Sequence, residues 1–205
     1  PAPAAATVPA AAALPTAVNG TPMPSLAPML KRVLPAVVSV NTKQRVRVNT
    51  PFGDDPVFRR MFGIPQERIA QSLGSGVIVD AARGLVLTNN HVVEDADEVS
   101  VTLADGRTLK AEFVGNDADT DIALMRIPAQ ELTAIPVANS DRLQIGDFVV
   151  AVGNPFGVGQ TVTSGIVSAI GRNNLPGAGF QNFIQTDASI NPGNSGGALV
   201  NLNGE

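Results

Sequence analysis

A single serine, Ser195, sits in the stretch "INPGNSGGALV" (190–200), with three glycines and one proline around it. A plain turn needs one glycine. A loop that aims backbone N–H groups at an incoming oxygen needs several, because a Cβ would block the approach. The chain has one histidine, His91, so any chemistry that needs an imidazole uses that residue. It has no cysteine, which removes thiol nucleophiles, disulfides and thiolate metal sites together. Three aspartates, Asp117, Asp119 and Asp121, lie in "GNDADTDIALMRI" (115–127). A hydroxyl, an imidazole and a carboxylate are the parts of nucleophilic acyl transfer. The base takes the hydroxyl proton, and the carboxylate fixes the imidazole and stabilises its charged form.

Each part also has an ordinary explanation, and two sharper alternatives fail. A lone histidine is most often structural, and a serine among glycines is most often a turn. "GNSGG" (193–197) fits G-x-S-x-G, which in an α/β-hydrolase puts the histidine downstream. Here ten residues follow Ser195 and none is histidine. The aspartate triplet resembles the start of a calcium loop, but that loop needs glycine at its sixth position and glutamate at its twelfth. Those positions hold Ile122 and Pro128, so no metal is expected, nor any other cofactor. The order that survives is His91, an acid, then Ser195. Of the three acids, Asp121 directly precedes the apolar run Ile122–Ile127 and so has the most firmly held backbone.

These groups must be positioned by a frame, and the composition suits one. Of 205 residues, 44% are hydrophobic and 16% charged, enough to build a core. The net charge of −4 argues against a phosphate-binding surface, so no nucleic-acid partner is expected. No apolar run reaches the ~18 residues of a membrane span. Valine-rich stretches predict strands at 36–42, 74–80, 84–90, 98–104, 109–115 and 122–127. A polar connector follows at 128–144. Further strands are predicted at 147–153, 161–171, 182–188 and 197–203. The fold class is therefore all-β, with two antiparallel barrels side by side.

The remaining segments are read as follows. Residues 1–24 are an Ala/Pro-rich disordered segment; the first thirty residues hold seven prolines and no charge. Residues 25–130 form a helix and the first barrel, and 131–205 a connector and an incomplete second barrel. Leu26, Met29, Leu30, Val33 and Leu34 recur at helical spacing, and Pro35 ends the run. Asn90 is placed to cap a short turn after the strand that ends before His91. A long loop at 49–72 carries Phe52, Phe58 and Phe62, the last two on the apolar face of a short predicted helix. They are placed either to pack on their own barrel or to meet a partner. The second barrel has four strand candidates, two short of six, so the residues read as part of a longer protein.

The order His, Asp, Ser between two barrels resembles chymotrypsin-type serine proteases. "LGSGVIVD", "LTNNHVV", "DADTDIALMRI", "AVGNPFG" and "FIQTDASINPGNSGGALVNLNGE" resemble the HtrA (Deg) family in particular, from about residue 26 to the last residue. The insertion at 49–72 is most similar to the family's bacterial periplasmic branch. The resemblance implies a chymotrypsin-like double β-barrel and places the base on His91, the acid on Asp121 and the nucleophile on Ser195. It implies an oxyanion hole at Gly193, Asn194 and Ser195, and a pocket wall at Ile190, Asn191 and Pro192. That wall has no acidic residue to receive Lys or Arg, and the resemblance implies cleavage at small aliphatic residues of unfolded proteins.

The resemblance further implies a periplasmic location, a homotrimer or larger cage with contacts around 25–40, and PDZ domains downstream that this chain does not contain. Digestive relatives have an acid before the nucleophile that pairs with a freed N-terminus. Here Asn194 stands there, so control is expected to act on the order of loops near 154–161 and 171–182. Gly153, Gly157, Gly159, Gly177 and Gly179 would give those loops freedom. The competing function is a chaperone-like protein that holds unfolded chains, with proteolysis secondary.

Overall fold

In the computed structural model, the structure describes residues 17–18, 21–22, 25–47, 67–155, 159–172 and 182–205. The three phenylalanines of the long loop and most of 1–24 lie outside these residues, as do Gly157, Gly177 and Gly179. Within the segment read as disordered, β1 (Ala17–Val18) pairs antiparallel with β2 (Thr21–Pro22).

Helix α1 (Ala27–Val33) has proline in its first turn, where the missing N–H costs nothing, and Lys31 and Arg32 in its last. It buries Met29 and Val33, four residues apart on one face, while Leu26 and Leu30 pack beside them. This face is spent on the chain's own core. Pro35 then forces a 3-10 turn, Leu34–Ala36, which delivers the chain into β3 (Val37–Arg47).

Six antiparallel strands close a barrel. They are β3, β4 (Glu67–Asp80), β5 (Leu85–Asn89), β6 (Glu98–Thr102), β7 (Thr108–Asp117) and β8 (Ile122–Arg126), in the order β3-β4-β5-β8-β7-β6. Closure leaves no free edge. Val40, Ile78, Val86, Val101, Ala123 and Met125 fill the core. Val37, Val38, Ser39 and Val40 are buried in succession, because β3 is covered on both faces at its start. The strand period alone would have put two of them in water.

Two barrel strands run further than the sequence reading allows. β3 and β4 pair from Val37↔Val77 out to Arg47↔Glu67, so residues 67–72 are strand and not loop. The ends "KQRVR" and "ERIAQS" carry few apolar residues. Pairing continues there because the ladder is already in register, not because a face is buried.

The second unit is an open sheet of β9 (Phe148–Gly153), β10 (Thr161–Arg172), β11 (Phe183–Thr186) and β12 (Ala198–Val200), ordered β11-β10-β9-β12. It is a partial second barrel. Central β9 is buried from Val149 to Gly153. The fold is thus mostly β, chymotrypsin-like, with one complete barrel and one incomplete one, as the residues predicted.

Candidate active site

His91 stands on a single helical turn, α2 (Asn90–Val93), that follows β5 directly. Val92 and Val93 are buried beneath it, which turns the imidazole outward. The close seat of α2 on β4 depends on Gly74, where a Cβ would lie 2.7 Å from a Val92 methyl carbon. Asn90 is not the cap. It is the first helical residue and is buried, and its Oδ1 accepts a hydrogen bond from Asn116 Nδ2 at 2.6 Å. Asn89 occupies the cap position, but its side chain donates to the Asp121 carbonyl at 2.8 Å. Both amides therefore tie the end of β5 to the β7–β8 hairpin.

That hairpin gives the three aspartates different surroundings. Asp117 accepts from the Asp119 N–H at 3.0 Å and so shapes its own turn. Asp121 has a positive φ of 55°, and its carbonyl also accepts the Asn90 N–H at 3.0 Å. One carboxylate oxygen of Asp121 accepts the His91 backbone N–H at 2.9 Å. The other meets His91 Nδ1 at 2.7 Å. A carboxylate only accepts, so Nδ1 carries the proton and Nε2 of the neutral ring keeps its lone pair. The imidazole is held in the tautomer that a general base needs.

The Ser195 turn comes from the loop between β11 and β12. The Asn194 N–H donates to the Asn191 carbonyl at 3.1 Å, and the Gly197 N–H to the Asn194 carbonyl at 2.8 Å. Gly193 and Gly196 have φ of 93° and 82°, a region that side chains rarely adopt. A Cβ at Gly193 would collide with the Pro155 ring, and one at Gly196 with the Ser75 carbonyl and the Thr88 hydroxyl. The glycines are there for close approach: the turn is seated between Pro155, just past β9, and the first barrel at the end of β5, next to His91. Among the described residues the Ser195 hydroxyl has no hydrogen bond, to the imidazole or otherwise. The N–H groups of Gly193 and Ser195 likewise have no described acceptor, whereas that of Asn194 is committed to its turn.

The predicted pocket wall, Ile190, Asn191 and Pro192, is exposed beside this turn. Asp187 just before it is occupied, accepting the Ile166 N–H of β10 at 2.7 Å. Asn194 is different. Its side-chain amide is buried against Gly153, and among the described residues neither its polar atoms nor the nearby Asn154 Oδ1 has a hydrogen-bond partner. Each such group costs about 1–3 kcal/mol.

Several residues around the site had not been singled out. Ser75 and Thr88 are buried polar side chains on β4 and β5, and Thr88 donates to the Ser75 carbonyl at 2.7 Å. A signal for Ser75 existed: it is a serine between two glycines in an apolar strand, "LGSGVIVD", the same crowding seen around Ser195.

The trypsin-like peptidase domain matches residues 74–205 of this chain. The periplasmic serine endoprotease DegP of Salmonella typhimurium is 51% identical over 217 residues, covering 93% of this chain and 46% of that protein. The periplasmic pH-dependent serine endoprotease DegQ of Escherichia coli K12 is 54% identical over 189 residues, covering 90% of this chain and 41% of that one. Among solved structures, the HtrA-type protease AlgW with a tripeptide superposes with a TM-score of 0.73 at 45% identity, over 88% of this chain and 52% of AlgW. AlgW with a decapeptide gives 0.72 at 48% identity, over 88% and 56%. The chain spans less than half the length of these curated relatives.

Proposed function

The chain belongs to the trypsin-like peptidase family, on its HtrA branch, and from that premise we propose that it is a serine endopeptidase acting on unfolded polypeptides with His91, Asp121 and Ser195 as its triad. The observation that carries this reading is the two-point grip of the Asp121 carboxylate on His91, which leaves Nε2 free to accept a proton. Ser195 Oγ attacks the scissile carbonyl carbon while Nε2 takes the hydroxyl proton. The carbonyl oxygen becomes an oxyanion and receives the N–H groups of Gly193 and Ser195, with Asn194 as the hinge between them. Collapse breaks the C–N bond, and the imidazolium gives its proton to the leaving amine. Water then attacks the acyl-enzyme, its proton passing to Nε2, and the acid product leaves with Ser195 restored.

The missing hydroxyl–imidazole bond fits this reading, since such bonds tighten when substrate arrives. The exposed Ile190, Asn191 and Pro192 offer an uncharged wall, which suits aliphatic side chains. A periplasmic location is part of the same proposal, supported by the names of the relatives. So is assembly as a homotrimer or larger cage. Met29 and Val33 are already spent on the chain's own core, so contacts would come from other residues of that segment.

The test is turnover of denatured casein by the wild type and by Ser195→Ala, with light scattering to count subunits. Loss of cleavage in Ser195→Ala supports the peptidase. Equal suppression of aggregation by both, with no cleavage by either, would favour the holding protein instead.

A further inference from the structure

Resting on the reading of Ser195 as nucleophile, we propose that Ser75 is a positioning residue: its buried hydroxyl, in the first barrel, helps set the backbone that aims Ser195 and its N–H, one of the two oxyanion donors, in the second. Ser75 has a relative exposure of 0%, and every hydrogen-bonding group it has is engaged. Its backbone N–H donates to the Ser195 carbonyl at 2.8 Å. Its hydroxyl donates to the Gly193 carbonyl at 2.6 Å and accepts the Asn154 N–H at 2.8 Å. Its carbonyl accepts the Thr88 hydroxyl at 2.7 Å.

These bonds fall at the two places that control the turn. Peptide units are planar, so holding a carbonyl oxygen holds the whole unit. Ser75 fixes the Gly193–Asn194 unit through its hydroxyl and the Ser195–Gly196 unit through its N–H. Between them lies the Asn194–Ser195 unit, whose N–H is one of the two oxyanion donors and whose carbonyl is held by Gly197. With both neighbours fixed, few torsions remain that could swing this N–H or the Ser195 Cβ. The Asn154 bond adds the end of β9 to the same point. One hydroxyl thus joins β4, the end of β9 and the Ser195 turn, and alanine at position 75 would leave the Gly193 carbonyl and the Asn154 N–H without that partner.

Ser75 touches no reacting atom, so its removal should affect the chemical step more than substrate capture. We expect Ser75→Ala to lower kcat on a casein-derived peptide by about 10- to 100-fold, with KM within about twofold. The acid limb of the pH–rate profile should not move, because the His91–Asp121 contact is untouched. The comparison is Thr42→Val, which removes another buried hydroxyl from the same strand pair, bonded to the Ser72 carbonyl at 3.4 Å. It should lower the melting temperature while kcat, measured well below the transition, stays within about twofold. Wild-type kcat in Ser75→Ala would overturn the proposal. So would a loss no greater than that of Thr42→Val, or a rise in KM alone. Should Ser75→Ala not fold, Ser75→Cys decides, since a thiol is a weaker donor: a tenfold lower kcat supports the clamp and wild-type kcat refutes it. Full activity in Ser195→Ala would instead sink the peptidase reading itself, which keeps the two failures apart.

Discussion

The two halves of the molecule hold their shares of the site in different ways. In the first barrel, besides the strand ladder, the end of β5 and the β7–β8 hairpin are joined by two hydrogen bonds to the Asp121 carboxylate, two to its carbonyl and one from Asn116 to Asn90. The strands that carry them belong to a closed barrel with a continuous core. In the second half the sheet is open, and the Ser195 turn has two internal hydrogen bonds and then leans on Ser75. It also contains a buried amide, Asn194, whose polar atoms have no partner among the described residues. His91 and Asp121, the proposed base and acid, are built into a frame. Ser195, the proposed nucleophile, is set where two frames meet, so its geometry depends on both.

The largest expected effects come from the triad. His91→Ala and Ser195→Ala should each lower kcat by about 10⁴-fold or more, and combining them should add little, because the groups act as a unit. Asp121→Asn should cost about 10⁴-fold by favouring the wrong tautomer, while Asp117→Ala and Asp119→Ala stay near wild type. Steady-state kinetics on one peptide checks all five. If an Asp117 or Asp119 variant were inactive and Asp121→Asn active, the assignment of the acid would be wrong.

The seam between the halves should be the next most sensitive place. Gly196→Ala would push a Cβ onto the Ser75 carbonyl and the Thr88 hydroxyl at a φ of 82°. We expect a loss of at least about 100-fold in kcat and a lower melting temperature together. A fully active variant would show that the turn is not seated as described.

A core change in the first barrel should separate stability from activity. Met125→Ala, at a position 1% exposed, should cost about 2–5 kcal/mol of stability in chemical denaturation. Its kcat per folded molecule should stay within about twofold, since the links to His91 are local. A large loss of kcat in the folded variant would contradict the contrast drawn between the two halves.

The smallest effect lies on the surface. The backbone N–H of Arg83, and then its guanidinium, hydrogen-bond Asp80 and hold its carboxyl below the usual range. A carboxyl lowered in the folded state contributes stability above its unfolded value, about 3.9, and loses it as pH falls through the folded value. Asp80→Asn should therefore melt slightly lower than the wild type at neutral pH, with the difference shrinking below about pH 4. A difference that grew on acidification would reverse the sign of this argument.

Much of this was legible because it is periodic or local. The ten strands of the two barrels stand out by alternation and length, and α1 by its four-residue spacing closed by Pro35. The order His91, acid, Ser195 and the glycines at 193, 196 and 197 pointed to the candidate site, whose residues the fold brings to one seam. What escaped was hydrogen bonding between distant segments. Ser75 is 118 residues from Gly193 and 79 from Asn154, and such pairs leave no periodic trace. Asn90 was misread as a cap because asparagine before a helical turn usually caps, whereas here tertiary contact with Asn116 takes its side chain. The polar ends of β3 and β4 were missed because pairing there follows register and not burial.

The most direct test of the account is labelling by a fluorophosphonate, which reacts with an activated serine, followed by peptide mapping in the wild type and in His91→Ala and Asp121→Asn. The account predicts a single adduct on Ser195, formed more slowly as pH falls and the imidazole protonates, and nearly abolished in both variants. An adduct on another serine, or labelling of Ser195 at an unchanged rate without His91, would contradict it.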